Sequence, residues 1–491
     1  MTESSILKSF RQMKNFGSIY FLISVLEKSL SFILIPVYTT YLTPEDYGIY
    51  GMLTLVTLWI QKFAVAPVGN GITRMYHAPE NIEKQGEFIF NAWLFVFLQM
   101  VIICALYVLF HKRITILLFD NNINLYHLTL LFTYVLMLKP FADLMNNLLR
   151  IQGRAKLMGI VSIIRFIVVG ALQVYLLIWI NLGVKSMIYG LITSQLITIF
   201  ILSPTLYRDL RFKLDFSLIK PALQYGYPLI IAAISSTSLG LIDKYLLRIN
   251  WDIALVGQYV FALQMGTIMN VVFNNPLKQA FVPVIFEMQN NRDELSLFFK
   301  RSCTFIMISG LFVWLFLSAF IFEIISILVR NPVFLDIWYV VPFLAFLNFQ
   351  MGMATVFGNG IAMVRKSTVS SSISLGRLIF ASILLFIIIP RFGVLGAACS
   401  LIFSQIIANI IRGKLSTYYQ GYSFETAKII ISSLIAFSLY ALIYFIISIG
   451  YNFAFTMILK VIILALYPIF LYFFGIINIK EIKSVLAIVR S

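Results

Sequence analysis

Twelve charged residues sit where apolar sequence surrounds them, and they are the positions most able to do chemistry. Eight are basic: Lys28, Lys62, Lys139, Arg165, Lys244, Lys278, Arg377 and Lys460. Four are acidic: Glu27, Asp143, Asp243 and Glu323. A charge at the centre of a membrane helix costs about 2.5–3.5 kcal/mol on insertion scales, so such residues line a polar interior or pair with one another. Lys139 and Asp143 are four apart and can pair on one helix face. Glu27 and Lys28 are adjacent and project about 100° apart, which keeps them from facing each other, and the same geometry is expected of Asp243 and Lys244. Lys460 and Glu323 lie within about two turns of their span ends, close enough to snorkel to the surface. The remaining surplus is cationic. Lys28, Lys62, Arg165, Lys244, Lys278 and Arg377 are therefore the expected lining of a cavity for an anion. Arginine favours phosphate there through bidentate contact.

Other chemistries are excluded by what is missing. Cys104, Cys303 and Cys399 are isolated in apolar runs, with neither disulfide nor zinc spacing. His77, His111 and His127 are not paired at i, i+4, so no metal site is expected. The chain carries no Walker A, GxSxG or dinucleotide motif, so no cofactor and no enzymatic activity is expected.

The elements that must position these charges are transmembrane helices. The chain is 60% hydrophobic and 12% charged over 491 residues, against about 25% charged in soluble domains. A bilayer core needs about 20 apolar residues per helix, and such runs recur. The predicted spans are 17–42, 47–72, 88–110, 125–148, 157–180, 184–206, 222–247, 253–276, 302–329, 336–363, 368–389, 393–411, 427–448 and 454–475. The fold class is thus an all-α polytopic membrane protein of about fourteen helices. The stretch from Ile114 to Phe119 is apolar but too short to span, and an outer loop is expected over 111–124. The net charge of +17 reflects topology rather than nucleic acid. Lys8, Arg11, Lys14, Arg150, Arg154, Lys156, Arg412 and Lys414 fall on one side, whereas the other holds only Lys112, Arg113, Lys185, Arg248, Arg330 and Arg391. The positive-inside rule then places both termini in the cytoplasm.

The halves of the chain repeat at an offset of about 210 residues. Gly48 and Tyr50 match Gly257 and Tyr259, Pro67 matches Pro276, Leu182-Gly183 matches Phe392-Gly393, and Ser194-Gln195 matches Ser404-Gln405. Six helices per repeat return the chain to its starting side, so the halves are parallel, a build common in secondary transporters. The expected domains are 1–213 and 214–415, followed by an added helix pair and tail over 416–491. Pro36, Pro67, Pro228 and Pro276 fall in matched spans and are hinge candidates, because proline removes an i→i−4 hydrogen bond.

Leu42-Thr43-Pro44-Glu45-Asp46-Tyr47-Gly48-Ile49-Tyr50 and Asp243-Lys244-Tyr245 resemble motifs of the bacterial polysaccharide transporters, the Wzx-type O-antigen flippases of the MOP (MATE-like) superfamily. The family's basic residue after the span-7 Asp is often Arg; here Lys244 keeps the charge without the fork. The resemblance implies a flippase in the bacterial inner membrane that moves undecaprenyl-pyrophosphate-linked oligosaccharide units by alternating access. It also implies proton or sodium coupling, with Glu27 and Asp243 as coupling candidates, and contact with polysaccharide polymerase machinery. The alternatives are a lipid II flippase, with more arginine in spans 1, 2 and 8, and a MATE-type cation or drug antiporter, with acidic interior sites. A membrane-embedded polymerase or glycosyltransferase would need a large outer loop or a nucleotide-sugar domain.

Overall fold

A computed structural model describes residues 32–76, 83–120, 122, 125–207, 210–278, 281, 285, 292–364, 366–421, 423–449 and 452–476. Glu27 and Lys28 lie outside these residues, as does most of the expected first span. Every regular element among the described residues is helical. In chain order they are α1 (Ile35–Tyr41), α2 (Pro44–Met75), α3 (Gln85–Phe119), α4 (Tyr126–Ile151), α5 (Ala155–Ile178), α6 (Val184–Tyr207), α7 (Lys220–Asn250) and α8 (Ile253–Gly266). Then follow α9 (Arg292–Leu328), α10 (Val341–Met363), α11 (Ser367–Gln420), α12 (Thr426–Ile449) and α13 (Phe453–Phe473). Eleven helices are long and apolar enough to cross a membrane, or twelve if the bent α2 counts as one span, among the described residues. The chain is a multi-pass membrane protein. α11 contains expected spans 11 and 12, joined at Gly393, whose φ of 52° and ψ of −130° break the helix. Gly183, its match in the first half, has a φ of 53°. Both turns need the left-handed backbone that glycine adopts without cost.

Two expectations are corrected. α3 runs unbroken through 112–119 to Phe119, so the apolar stretch too short to span by itself is the end of a long helix. The outer loop expected over 111–124 shrinks accordingly. Arg248 explains the helical extension: it is buried, pairs with Asp120 just past α3 and donates to the Leu117 carbonyl at 2.9 Å. A cation here satisfies the open carbonyls at a helix C-terminus. Arg248, expected in a loop, instead lies in the last turn of α7.

The residues group into two compact units. One lies within Met1–Phe261, Leu328–Phe334 and Lys366–Ser404, and contains α2 through α8 up to Phe261. In it the Thr43–Tyr50 motif acquires physical meaning. Thr43 Oγ1 accepts from the Asp46 amide at 3.2 Å, and Asp46 Oδ2 accepts from the Thr43 amide at 3.0 Å. This is a capping box with Pro44 in the first turn of α2, where proline's missing N–H is harmless. Tyr47 is buried edge-on against Phe334 and Phe261. Gly48 meets Gly257 backbone to backbone: a Cβ on Gly48 would lie 2.3 Å from the Ile253 carbonyl, and one on Gly257 would lie 1.6 Å from that of Pro44. Two residues matched in the sequence repeat are thus in contact at a small-residue crossing, the kind that packs membrane helices closely. From there α2 runs along α7, with Trp59 Nε1 donating to Ser238 Oγ at 2.8 Å. Gly226 sits against the Pro67 carbonyl and Gly71 against Ala222.

Asn91 of α3 clamps the segment between α6 and α7. It donates to the Lys213 carbonyl at 2.8 Å and accepts from the Asp215 amide at 2.9 Å. Hydrogen bonds from Ser217 hold the Asp215 carboxyl below its ordinary pKa.

The second unit lies within Ala262–Ile327, Leu335–Arg365 and Gln405–Ser491. Trp314 is its aromatic centre, donating to the Pro342 carbonyl at 2.8 Å and packing on Phe346, Phe437 and Tyr440. Here Lys460 does not snorkel. Its side chain is fully buried and reaches Glu323 Oε1 at 2.5 Å, tying α13 to α9. Removing one partner of a buried pair costs about 3–5 kcal/mol because the other charge is stranded. Lys460→Met is therefore expected to lower the thermal midpoint of the purified protein sharply, and Glu323→Gln/Lys460→Met to recover most of the loss. Equal melting of K460M and the native chain would refute the pairing.

Candidate substrate-binding site

The charged residues named by the sequence fall into two classes. In the first, an acid and a base neutralise each other. Lys139 and Asp143 of α4 pair at 3.5 Å, as their spacing predicts. Glu323 pairs with Lys460. Asp243 and Lys244 correct the expectation for adjacent residues: Lys244 Nζ folds back to Asp243 Oδ1 at 3.2 Å and to the Gly240 carbonyl at 3.1 Å. Cα vectors 100° apart do not prevent this, because the four-carbon lysine stem turns along its own helix. Asp243 Oδ1 also accepts from the Lys244 amide at 2.7 Å, and Oδ2 from the Tyr259 hydroxyl at 3.1 Å. Lys244 Nζ lies 5.2 Å from the Tyr259 ring centre, within cation–π range. Asp243, Lys244 and Tyr259 are all buried. Sequence reasoning missed the role of Tyr259, although its match with Tyr50 marked the position.

The second class holds the remaining bases. Lys62 is half-buried midway along α2 and makes no ion pair among the described residues. It lies three and seven residues beyond Trp59 and Leu55, the positions that meet α7 at Ser238 and Gly240. Spacings of three and seven place it on that same face. Arg165 of α5 and Arg377 of α11 are also half-buried, and both make contacts within the chain. Lys62, Arg165, Lys244 and Arg377 all belong to the first unit, and the exposed Lys278 to the second. Among the described residues no group of His, Cys, Asp and Glu could hold a metal ion.

The hinge candidates differ in kind. Pro67 sits at a bend of 55° between Pro44–Phe63 and Pro67–Thr73 of α2. Pro276 lies two residues beyond a π-helical turn, Asn270–Asn274, that interrupts the helix after α8. Such turns mark a local misfit in helical hydrogen bonding. Pro36 lies in the first turn of α1, just past a break at Leu34 that follows helical Phe32 and Ile33. Pro228 lies inside α7.

Residues 39–332, more than half of the chain, match a family model described as polysaccharide biosynthesis protein. The chain belongs to this family. The matched residues include the Leu42–Tyr50 motif at the start of α2. No curated protein sequence matches the chain. Among solved structures, one titled lipid II flippase MurJ in an inward closed conformation superposes with a TM-score of 0.72, covering 94% of this chain and 99% of that one at 12% identity. An inward-facing multidrug resistance MATE family transporter of the MOP superfamily gives 0.62, with 81% and 94% coverage and 15% identity. The Vibrio cholerae MATE transporter VcmN gives 0.56, with 83% and 98% coverage and 14% identity. These likenesses establish a MurJ- and MATE-like fold for this family member.

Proposed function

We propose that this chain is a flippase that carries undecaprenyl-pyrophosphate-linked oligosaccharide units, of O-antigen or capsule type, across the bacterial inner membrane by alternating access. The observation that carries the reading is the charge imbalance. Each intramembrane acid that the sequence singles out, among the described residues, is paired with a lysine: Asp143 with Lys139, Asp243 with Lys244 and Glu323 with Lys460. Lys62 is left over as a cation. An unpaired ammonium in a spanning helix needs water or an anion beside it, and a pyrophosphate is that anion. Arg165 and Arg377 add fork donors for phosphate oxygens, and Lys278 supplies charge at the end of its helix. An antiporter of organic cations would need the opposite, an acid left over.

Both termini then face the cytoplasm by the positive-inside rule, and the bend at Pro67 and the π-helical turn before Pro276 are where α2 and the helix after α8 flex between states. Asp243, with Lys244 and Tyr259 around it, and Glu27 are the positions for proton or sodium coupling. The membrane location allows contact with polymerase machinery on the outer side.

The test is transport by the full chain in proteoliposomes loaded on one face with a polyprenyl-pyrophosphate oligosaccharide. Protein-dependent appearance on the other face is expected, with Asp243→Asn blunting its dependence on an ion gradient. Efflux of an organic cation with no movement of the lipid-linked sugar would sink the reading.

A further inference from the structure

Two arginines outside the cavity set are held in the same way by an asparagine three residues earlier. At the end of α4, Asn147 Nδ2 donates to the Gly69 carbonyl and to Thr73 Oγ1 of α2, each at 3.1 Å, and its Oδ1 accepts from Arg150 Nη2 at 2.9 Å. In α11, Asn409 Nδ2 donates to the Gln350 carbonyl of α10 at 2.8 Å, and its Oδ1 accepts from Arg412 Nη1 at 3.2 Å. A second donor, Gln405 Nε2, reaches the same Oδ1 at 2.9 Å. The backbone acceptor fixes which way each amide points, since only its NH2 can donate to a carbonyl. The oxygen is thereby aimed at the guanidinium. Arg150 is exposed and Arg412 half-buried, and neither meets a carboxylate among the described residues. One such bracket lies in each compact unit.

We propose that Asn147–Arg150 and Asn409–Arg412 are two phosphate-binding brackets, in which the asparagine positions the guanidinium fork for phosphate oxygens. An arginine needed only for topology requires charge on the correct side and no fixed orientation. Here each guanidinium gives one donor to an amide oxygen that is itself locked to a neighbouring helix. This spends little of the five-donor fork and removes much of its rotational freedom, which favours a planar, bidentate acceptor. The occupant is the pyrophosphate of the lipid-linked substrate, an assignment that rests on the flippase reading. On the orientation given there, both brackets lie toward the cytoplasmic ends of their helices.

The full chain in zwitterionic nanodiscs would be titrated separately with farnesyl pyrophosphate and with phosphatidylglycerol. Arg150→Lys and Arg412→Lys keep the charge but lose the fork. Asn147→Leu keeps the arginine but frees it. Each is expected to weaken pyrophosphate binding about tenfold, the scale of one charge-assisted hydrogen bond, with phosphatidylglycerol binding unchanged. Equal weakening for both probes would uphold the brackets as phosphate sites and assign their occupant to a lipid headgroup. Native affinity for both probes in all three variants would overturn the proposal, and transport by the native chain would still stand as the separate test of the flippase. Conversely, a native chain that binds pyrophosphate through the brackets but moves no lipid-linked sugar would refute the flippase and leave the brackets intact.

Discussion

Lys62→Gln is expected to lower transport of a pyrophosphate-linked substrate by on the order of a hundredfold or more while leaving insertion and folding intact. Removing this ammonium strands no acid, because Lys62 makes no ion pair among the described residues. It also relieves the cost of holding a charge midway along α2. The folded protein should therefore melt at or above the native temperature. The substrate loses an attraction worth about 4 kcal/mol for unit charges 4 Å apart at an effective dielectric of 20, and each 1.4 kcal/mol is about tenfold in rate. Lys62→Arg should retain most of the activity. Initial rates in proteoliposomes, beside thermal midpoints in detergent, decide the matter. Native transport by Lys62→Gln would remove this residue from the site.

Gly257→Ala is expected to destabilise the protein by about 3 kcal/mol or more, at the upper end of overpacking costs. The new Cβ would lie 1.6 Å from the Pro44 carbonyl oxygen and 2.9 Å from the Gly48 amide nitrogen. Both are backbone atoms, so no rotamer change relieves the clash, and α2 and α8 must separate. Gly48→Ala should behave similarly, with its Cβ 2.3 Å from the Ile253 carbonyl. Gly69→Ala and Gly376→Ala are the controls, since nothing lies within 4 Å of either added Cβ. They should be neutral or slightly stabilising, as alanine is the better helix former. Size-exclusion profiles and thermal unfolding of the four variants would check this, and a Gly257→Ala chain that melts like the native one would contradict the crossing.

Both variants also bear on how much the sequence disclosed. Gly48 and Gly257 stand out in the sequence as a match at a fixed offset, but only the fold shows that they touch. Lys139 and Asp143 were legible as a pair because helical periodicity alone brings residues four apart together. Glu323 and Lys460 were not, because 137 residues separate them and no local rule joins α9 to α13. Asp243 and Lys244 were misread because backbone periodicity describes where Cβ points, not where a flexible stem places its ammonium. The end of α3 was misread for a related reason: its carbonyls are satisfied by Arg248, a residue 131 positions from Leu117.

The sequence by itself determined that this chain lives in a membrane, that it is built of helices, and that its apolar runs hold more bases than acids. Those properties depend on hydropathy, length and charge, which are written residue by residue. The tertiary structure decided which charges cancel. Pairing depends on distances of 2.5–3.5 Å between side chains, set by how helices pack. Once the lysines at 139, 244 and 460 are spent on their acids, Lys62, on the face of α2 that meets α7, stands out as a half-buried base that makes no ion pair among the described residues.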